Sequence, residues 1–169
     1  MIKKNKNING LSLVEILVVI SIFAVVGLLS TRSVFLTLRG AKKSDSLVRV
    51  RENVNYSLAI IERQLRSSES INSCGLLGTS AISYNTIDGV TSTFNCVAPS
   101  GSDSGYISSG SARLTSDEIS VTSCSFSCSQ VDINNPPVVK IVIEASDTES
   151  RAEEKGTVTA QTEIVIRNY

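Results

Sequence analysis

From Leu11 to Leu29 the chain carries nineteen residues with a single charge, Glu15. About 20 apolar residues are enough for a helix to cross the hydrocarbon core of a bilayer, so this run sets the terms for everything around it. Ahead of it lies a short polar leader, Met1 to Gly10, with Lys3, Lys4 and Lys6. Behind it, residues 30–169 are polar-rich and long enough for one domain but not two. A basic flank is retained on the cytoplasmic side. The expected topology is a cytoplasmic N-terminus, one pass through the inner membrane and an extracytoplasmic C-terminal part.

Glu15 is the anomaly. A lone carboxylate in hydrocarbon costs a few kcal/mol even on insertion-based scales, which calls for a partner and a task. A secretory signal peptide has a shorter apolar core, about 7–15 residues, and closes on small residues. This run is longer, contains an acid and is followed by no such site after Leu29. An uncleaved signal anchor carrying an extracellular binding or adhesion module accommodates the length and leaves the glutamate unexplained.

The stretch Gly10-Leu11-Ser12-Leu13-Val14-Glu15 resembles the leader junction of type IV pilins and type II secretion pseudopilins. In that family a basic leader ends in glycine, and an apolar helix follows with glutamate at its fifth mature position. The resemblance implies cleavage between Gly10 and Leu11 by a membrane-embedded prepilin peptidase, and N-methylation of the new Leu11 amine. The chain has leucine at 11 where the family usually has phenylalanine. The implied partners are the peptidase, other pilin or pseudopilin subunits, the inner-membrane assembly machinery and, before assembly, lipid. Residues 51–71 (RENVNYSLAIIERQLRSSESI) and 162–169 (TEIVIRNY) further resemble the minor pseudopilin J and minor pilin W group.

Charge burial supplies a mechanism for that resemblance. The freed Leu11 amine is a cation at the tip of an apolar helix, and Glu15 lies one turn along the same face. In a fibre the amine of one subunit can meet the carboxylate of its neighbour. Pairing offsets the desolvation of both, and a misplaced subunit leaves both unpaired. The pair therefore sets register more than it adds stability.

Past Leu29 the helix signals continue. No proline and only Gly40 interrupt residues 33–70, and Leu47, Val50, Val54, Leu58, Ile61 and Leu65 recur at threes and fours. One helix is expected from about 11 to about 68, with possible bends at Gly27 or Gly40. The expected division is leader 1–10, transmembrane and assembly helix 11–30, a stalk half 31–70 packed on the globular part, and a β-rich domain over 71–169. Residues 67–80 read as turns. Strands are expected over 81–88, 91–98, 106–115, 118–131, 138–145 and 157–167, each bounded by turn formers. Asp88-Gly89 reads as a hairpin turn, Ile164 and Ile166 as the buried side of a final half-buried strand, and 147–156 as an exposed charged loop. The fold class is α+β, a long N-terminal helix on an antiparallel sheet, which is also the pilin-like shape.

The four cysteines, Cys74, Cys96, Cys124 and Cys128, are an even set in an exported domain and suggest two disulfides. On a straight strand Cys124 and Cys128 would lie about 13 Å apart, beyond the roughly 7 Å a disulfide tolerates. Yet apolar parity slips here, from Ile119 and Val121 to Cys124 and Phe126, as at a bulge. The preferred pairing is Cys74–Cys96 with Cys124–Cys128, and crossed pairing follows if the strand is straight. Zinc is the rival use, without histidine or a C-x-x-C pair to favour it.

No cofactor or metal is expected, and no enzyme. The chain lacks histidine and any G-x-S-x-G, Walker or Rossmann pattern, and Glu153-Glu154 reads as loop charge. Lys+Arg and Asp+Glu number 16 each; removing the three leader lysines leaves 13 basic against 16 acidic side chains. That balance argues against nucleic acid as the partner. The cluster Arg39, Lys42, Lys43, Arg49 and Arg51 invites a DNA or lipid-headgroup reading, against the plainer one of a solvated or subunit-contacting helix face.

Overall fold

The computed structural model describes residues 12–72, 74–75, 77–132, 135–150 and 154–166. The chain divides into two compact units, Met1–Ala41 and Lys42–Tyr169. The first contains the N-terminal part of helix α1, Leu13–Arg66, a single helix running through Gly27 and Gly40. Every described residue up to Asp45 is exposed.

The second unit begins with the rest of α1 and, among the described residues, is closed by eight strands: β1 Ser68–Ile71, β2 Ala81–Thr86, β3 Thr91–Val97, β4 Tyr106–Ser109, β5 Ala112–Arg113, β6 Ile119–Ser129, β7 Val138–Asp147 and β8 Thr157–Val165. They form two antiparallel sheets, β1-β2-β3-β4-β5 and β6-β7-β8. The α+β reading holds, with two sheets in place of one. Val50, Val54, Leu58, Ile61 and Leu65 are the helix side of a single core. Ile82, Tyr84, Phe94 and Ile107 come to it from the first sheet, and Val121, Phe126, Ile141, Ile143 and Ile164 from the second. Burial on the helix starts at Ser46.

Helix α1 ends without a glycine. The Ser67 hydroxyl donates to the Gln64 carbonyl at 3.0 Å and the Ser68 hydroxyl to that of Leu65 at 2.7 Å, satisfying carbonyls that a helix end leaves open. Ser68 then starts β1, a strand in a segment expected to be turns. Its serines pair as backbone against Thr86 and Asn85 of β2, which composition does not advertise. Of the expected turns, Gly89 does close the β2–β3 hairpin at φ 76°, its N–H donating to the Thr86 carbonyl at 2.9 Å. The expected strand over 106–115 is instead a hairpin. Ser108 and Ser109 pair with Arg113 and Ala112, and Gly110, at φ 58°, leads the two-residue turn in the Gly-X manner of a type II′ connection. The final strand matches its pattern, with Ile164 and Ile166 buried and Val165 exposed.

The disulfides are Cys74–Cys128 and Cys96–Cys124, with Cα separations of 4.8 and 5.7 Å. This overturns the preferred pairing. The parity slip is a bulge, but it lies between Val121 and Ser123, upstream of both cysteines. From Ser123 to Ser129 the register with β7 is unbroken, so Cys124 and Cys128 sit four residues apart on one straight strand and cannot meet. Each reaches to the first sheet's side: Cys124 to Cys96 on β3, and Cys128 to Cys74 in the segment after β1. That segment runs beside β6, with Gly75 N–H on the Cys128 carbonyl at 3.0 Å and a two-way bridge between Thr79 and Phe126. Both bonds bind one sheet to the other, and neither leaves a thiol free for zinc.

Gly105 lies between Val97 at the end of β3 and Val121 of β6. A Cβ there would sit 2.2 Å from the Val121 carbonyl oxygen and 2.9 Å from that of Val97. Backbone on two sides cannot yield as a side chain can. Gly105→Ala is expected to lower unfolding stability by about 2 kcal/mol, read as a fall in the thermal midpoint of the full chain in detergent.

Candidate functional site

The functional stretch begins at Ser12, whose carbonyl accepts from the N–H groups of Glu15 at 3.0 Å and Ile16 at 3.2 Å. Ser12 is thus the N-cap of α1, which starts at Leu13. Glu15 falls in the first helical turn, where the helix dipole favours a negative charge. A signal for this was present and unused: Ser12-x-x-Glu15 is the capping-box spacing. Gly10 and Leu11 lie outside the described residues.

Beyond Glu15 the helix is apolar on every side. Ile16, Leu17, Ile20, Phe23, Leu28 and Leu29 are all exposed, Phe23 to 73%. The core helix of a water-soluble domain would bury such residues; here none of the most apolar window is buried. Three of its hydroxyls close on the helix itself. Ser21 donates to the Val18 carbonyl at 2.7 Å, Thr31 to Gly27 at 2.8 Å and Thr37 to Ser33 at 3.0 Å. A helix whose polar groups close on its own backbone meets the demand that lipid makes of a spanning segment. It is long and apolar enough to cross a membrane.

Residues 5–31 match the family model described as the prokaryotic N-terminal methylation motif. Over those 27 residues the chain resembles the type IV pilins and pseudopilins. No curated protein and no solved structure matches it. The motif indicates a pilin-like prepilin peptidase substrate, and the apolar helix is long enough to anchor such a chain in a membrane.

A second cluster, wholly within the globular unit, concerns Arg49. Sequence placed Arg49 in a basic cluster; the structure surrounds it with acids. Its guanidinium lies 3.3 Å from Asp147, 3.5 Å from Glu149, 3.7 Å from Asp45 and 3.8 Å from Glu118. A nucleic-acid face loses its central cation by this arrangement. Asp147 is fully buried at the end of β7, against the expectation of an exposed 147–156 loop. It accepts from the Glu149 N–H and the Ser150 hydroxyl, both at 2.8 Å. Ser46, the first buried residue of α1, accepts from the Gly156 N–H at 2.9 Å. A Cβ on Gly156 would lie 2.8 Å from the Leu47 nitrogen, so that glycine lets the β7–β8 connection touch the helix backbone. Burial pushes the Asp147 carboxyl up; the Ser46 and Ser150 hydroxyls, the Glu149 N–H and the Arg49 guanidinium outweigh it, and the pKa lies below the usual aspartate value. The groove beside it, about 320 Å³, is lined by Lys42, Asp45, Arg49, Glu149, Ser150 and Glu154. Arg49 pairs there with Asp45 and Glu149, and the cluster works as a latch between helix and sheet.

Proposed function

We propose that the chain is a minor subunit of a type IV pilus or type II secretion pseudopilus. It is made with its N-terminus in the cytoplasm and its globular unit outside, cut between Gly10 and Leu11, N-methylated at Leu11 and polymerised through its apolar helix. In the fibre Glu15 receives the Leu11 amine of a neighbouring subunit. The observation that carries this reading is the unburied apolar helix with one acid in its first turn, coinciding with the methylation motif. The minor role draws on the likeness of 51–71 and 162–169 to the J and W group. The ring of acids around Arg49 leaves nucleic acid without a basic face centred there.

The test is the N-terminal mass of the mature protein. Cleavage and methylation give a chain beginning at Leu11 with one added methyl group. A chain that retains Met1 would instead be the signal-anchored binding module, and the fibre reading would fall with it. Abundance in sheared fibres then separates a minor subunit, present at a small fraction of the principal one, from bulk fibre.

A further inference from the structure

The two disulfides are nested. Cys74 closes on Cys128, 54 residues on, and Cys96 on Cys124, 28 residues on. Cys96–Cys124 joins consecutive cysteines but Cys74–Cys128 skips both, and the alternative pairs Cys74–Cys96 and Cys124–Cys128 close shorter loops. Cys74 and Cys96 are 22 residues apart, and loop-closure entropy alone favours that contact over Cys74–Cys128 by about fourfold. The order of export adds to the bias. In a globular unit exported from its helix-proximal end, Cys74 and Cys96 meet the oxidising side while Cys124 is still 28 residues behind.

We propose that native pairing is reached with a thiol–disulfide isomerase as an obligatory partner of this chain before assembly. The proposal borrows from the proposed function only the extracytoplasmic placement of the globular unit. The exchange balances without an oxidant. An isomerase thiolate attacks Cys74 of a Cys74–Cys96 bond, forming a mixed disulfide and freeing the Cys96 thiolate. Cys96 attacks Cys124 of a Cys124–Cys128 bond, making Cys96–Cys124 and freeing Cys128. Cys128 attacks Cys74 in the mixed disulfide, making Cys74–Cys128 and returning the isomerase thiolate.

The structure also says when this must happen. Cys128 is 2% exposed and belongs to the core, so its partner is settled before the sheets close. Cys96 and Cys124 border an open groove of about 210 Å³, and their bond stays within reach of a thiol afterwards. The mispaired chain cannot close properly, because Cys124 and Cys128 on one straight strand are too far apart to be bonded in the folded unit.

Refolding of the reduced full chain in detergent tests this, with dissolved oxygen as sole oxidant or with a purified protein disulfide isomerase in glutathione buffer. After thiol trapping, trypsin cuts at Arg66, Arg113 and Lys140, which leaves Cys74 with Cys96 on one peptide and Cys124 with Cys128 on another. Consecutive pairing yields two separate peptides; native pairing yields one joined product, and cleavage at Phe94 and Phe126 tells nested from crossed. The joined nested product should rise at least fivefold with isomerase. An equal yield with oxygen alone overturns the proposal. So does an equal rise in Cys96→Ser/Cys124→Ser, whose single remaining pair cannot be misjoined, since that would mark a general folding aid. The peptide map reads the bonds whether or not the variant folds. A mature chain retaining Met1 would sink the fibre reading and leave this outcome unchanged.

Discussion

Replacing Glu15 by valine is expected to leave the chain in the membrane and remove it from fibres. The substitution makes an already apolar helix easier to insert, so membrane amounts should match the native chain or exceed it. Processing at Gly10 should continue. On the proposed assembly, what changes is the neighbour's Leu11 amine, which would enter an apolar fibre interior without its carboxylate. An unpaired buried charge costs about 3 kcal/mol or more, and each 1.4 kcal/mol is tenfold in an equilibrium. Content in sheared fibres should therefore fall by about a hundredfold relative to the membrane pool. Quantitative blotting of the two fractions checks this. Fibres carrying the valine chain at the native ratio would mean that Glu15 serves only as a helix-capping acid for Ser12.

Asp147→Ala is the second large effect, and it acts on the globular unit alone. The carboxylate is fully buried and bonded to Ser150, the Glu149 N–H and the Arg49 guanidinium. Its removal leaves those donors facing a small void and loosens the hold on Ser46, for a loss of about 2–3 kcal/mol. Acidity should imitate the substitution. Because the folded-state pKa lies below the usual value, the contribution is complete above about pH 4, the unfolded-state range. It is lost as pH falls through the lower folded value. Urea unfolding of the full chain in detergent, followed at pH 6 and pH 3, should show a drop in the native protein and a smaller one in Asp147→Asn. Equal drops would place the acid sensitivity elsewhere.

Much of this was legible in the chain before its coordinates. The helix was written in the period of Val50, Val54, Leu58, Ile61 and Leu65, and the last strand in the alternation of Ile164 and Ile166, because burial on one face imposes a period that survives any detail of packing. The misreadings fall where long-range geometry decides. Parity at Cys124 and Phe126 revealed a bulge but not that it precedes both cysteines. The distinction sets the whole disulfide pattern, since only a break between Cys124 and Cys128 could have let them bond. Polar strands escaped as well: Ser68–Ile71 is held by backbone pairing to β2, for which serines carry no signature. Asp147 looked like loop charge because its partners, Ser46 and Arg49, come from a helix about a hundred residues earlier.

The place where burial begins on α1 has a mechanical corollary. Tension applied along the helix enters the globular unit at Ser46, its first enclosed residue. The load thus falls first on the contacts Ser46, Arg49, Asp147 and Gly156 make, before any reaches Val54 or Phe126. Because those contacts are polar and reversible, that end of the helix can yield and re-form under strain while the stapled sheets behind it keep their shape.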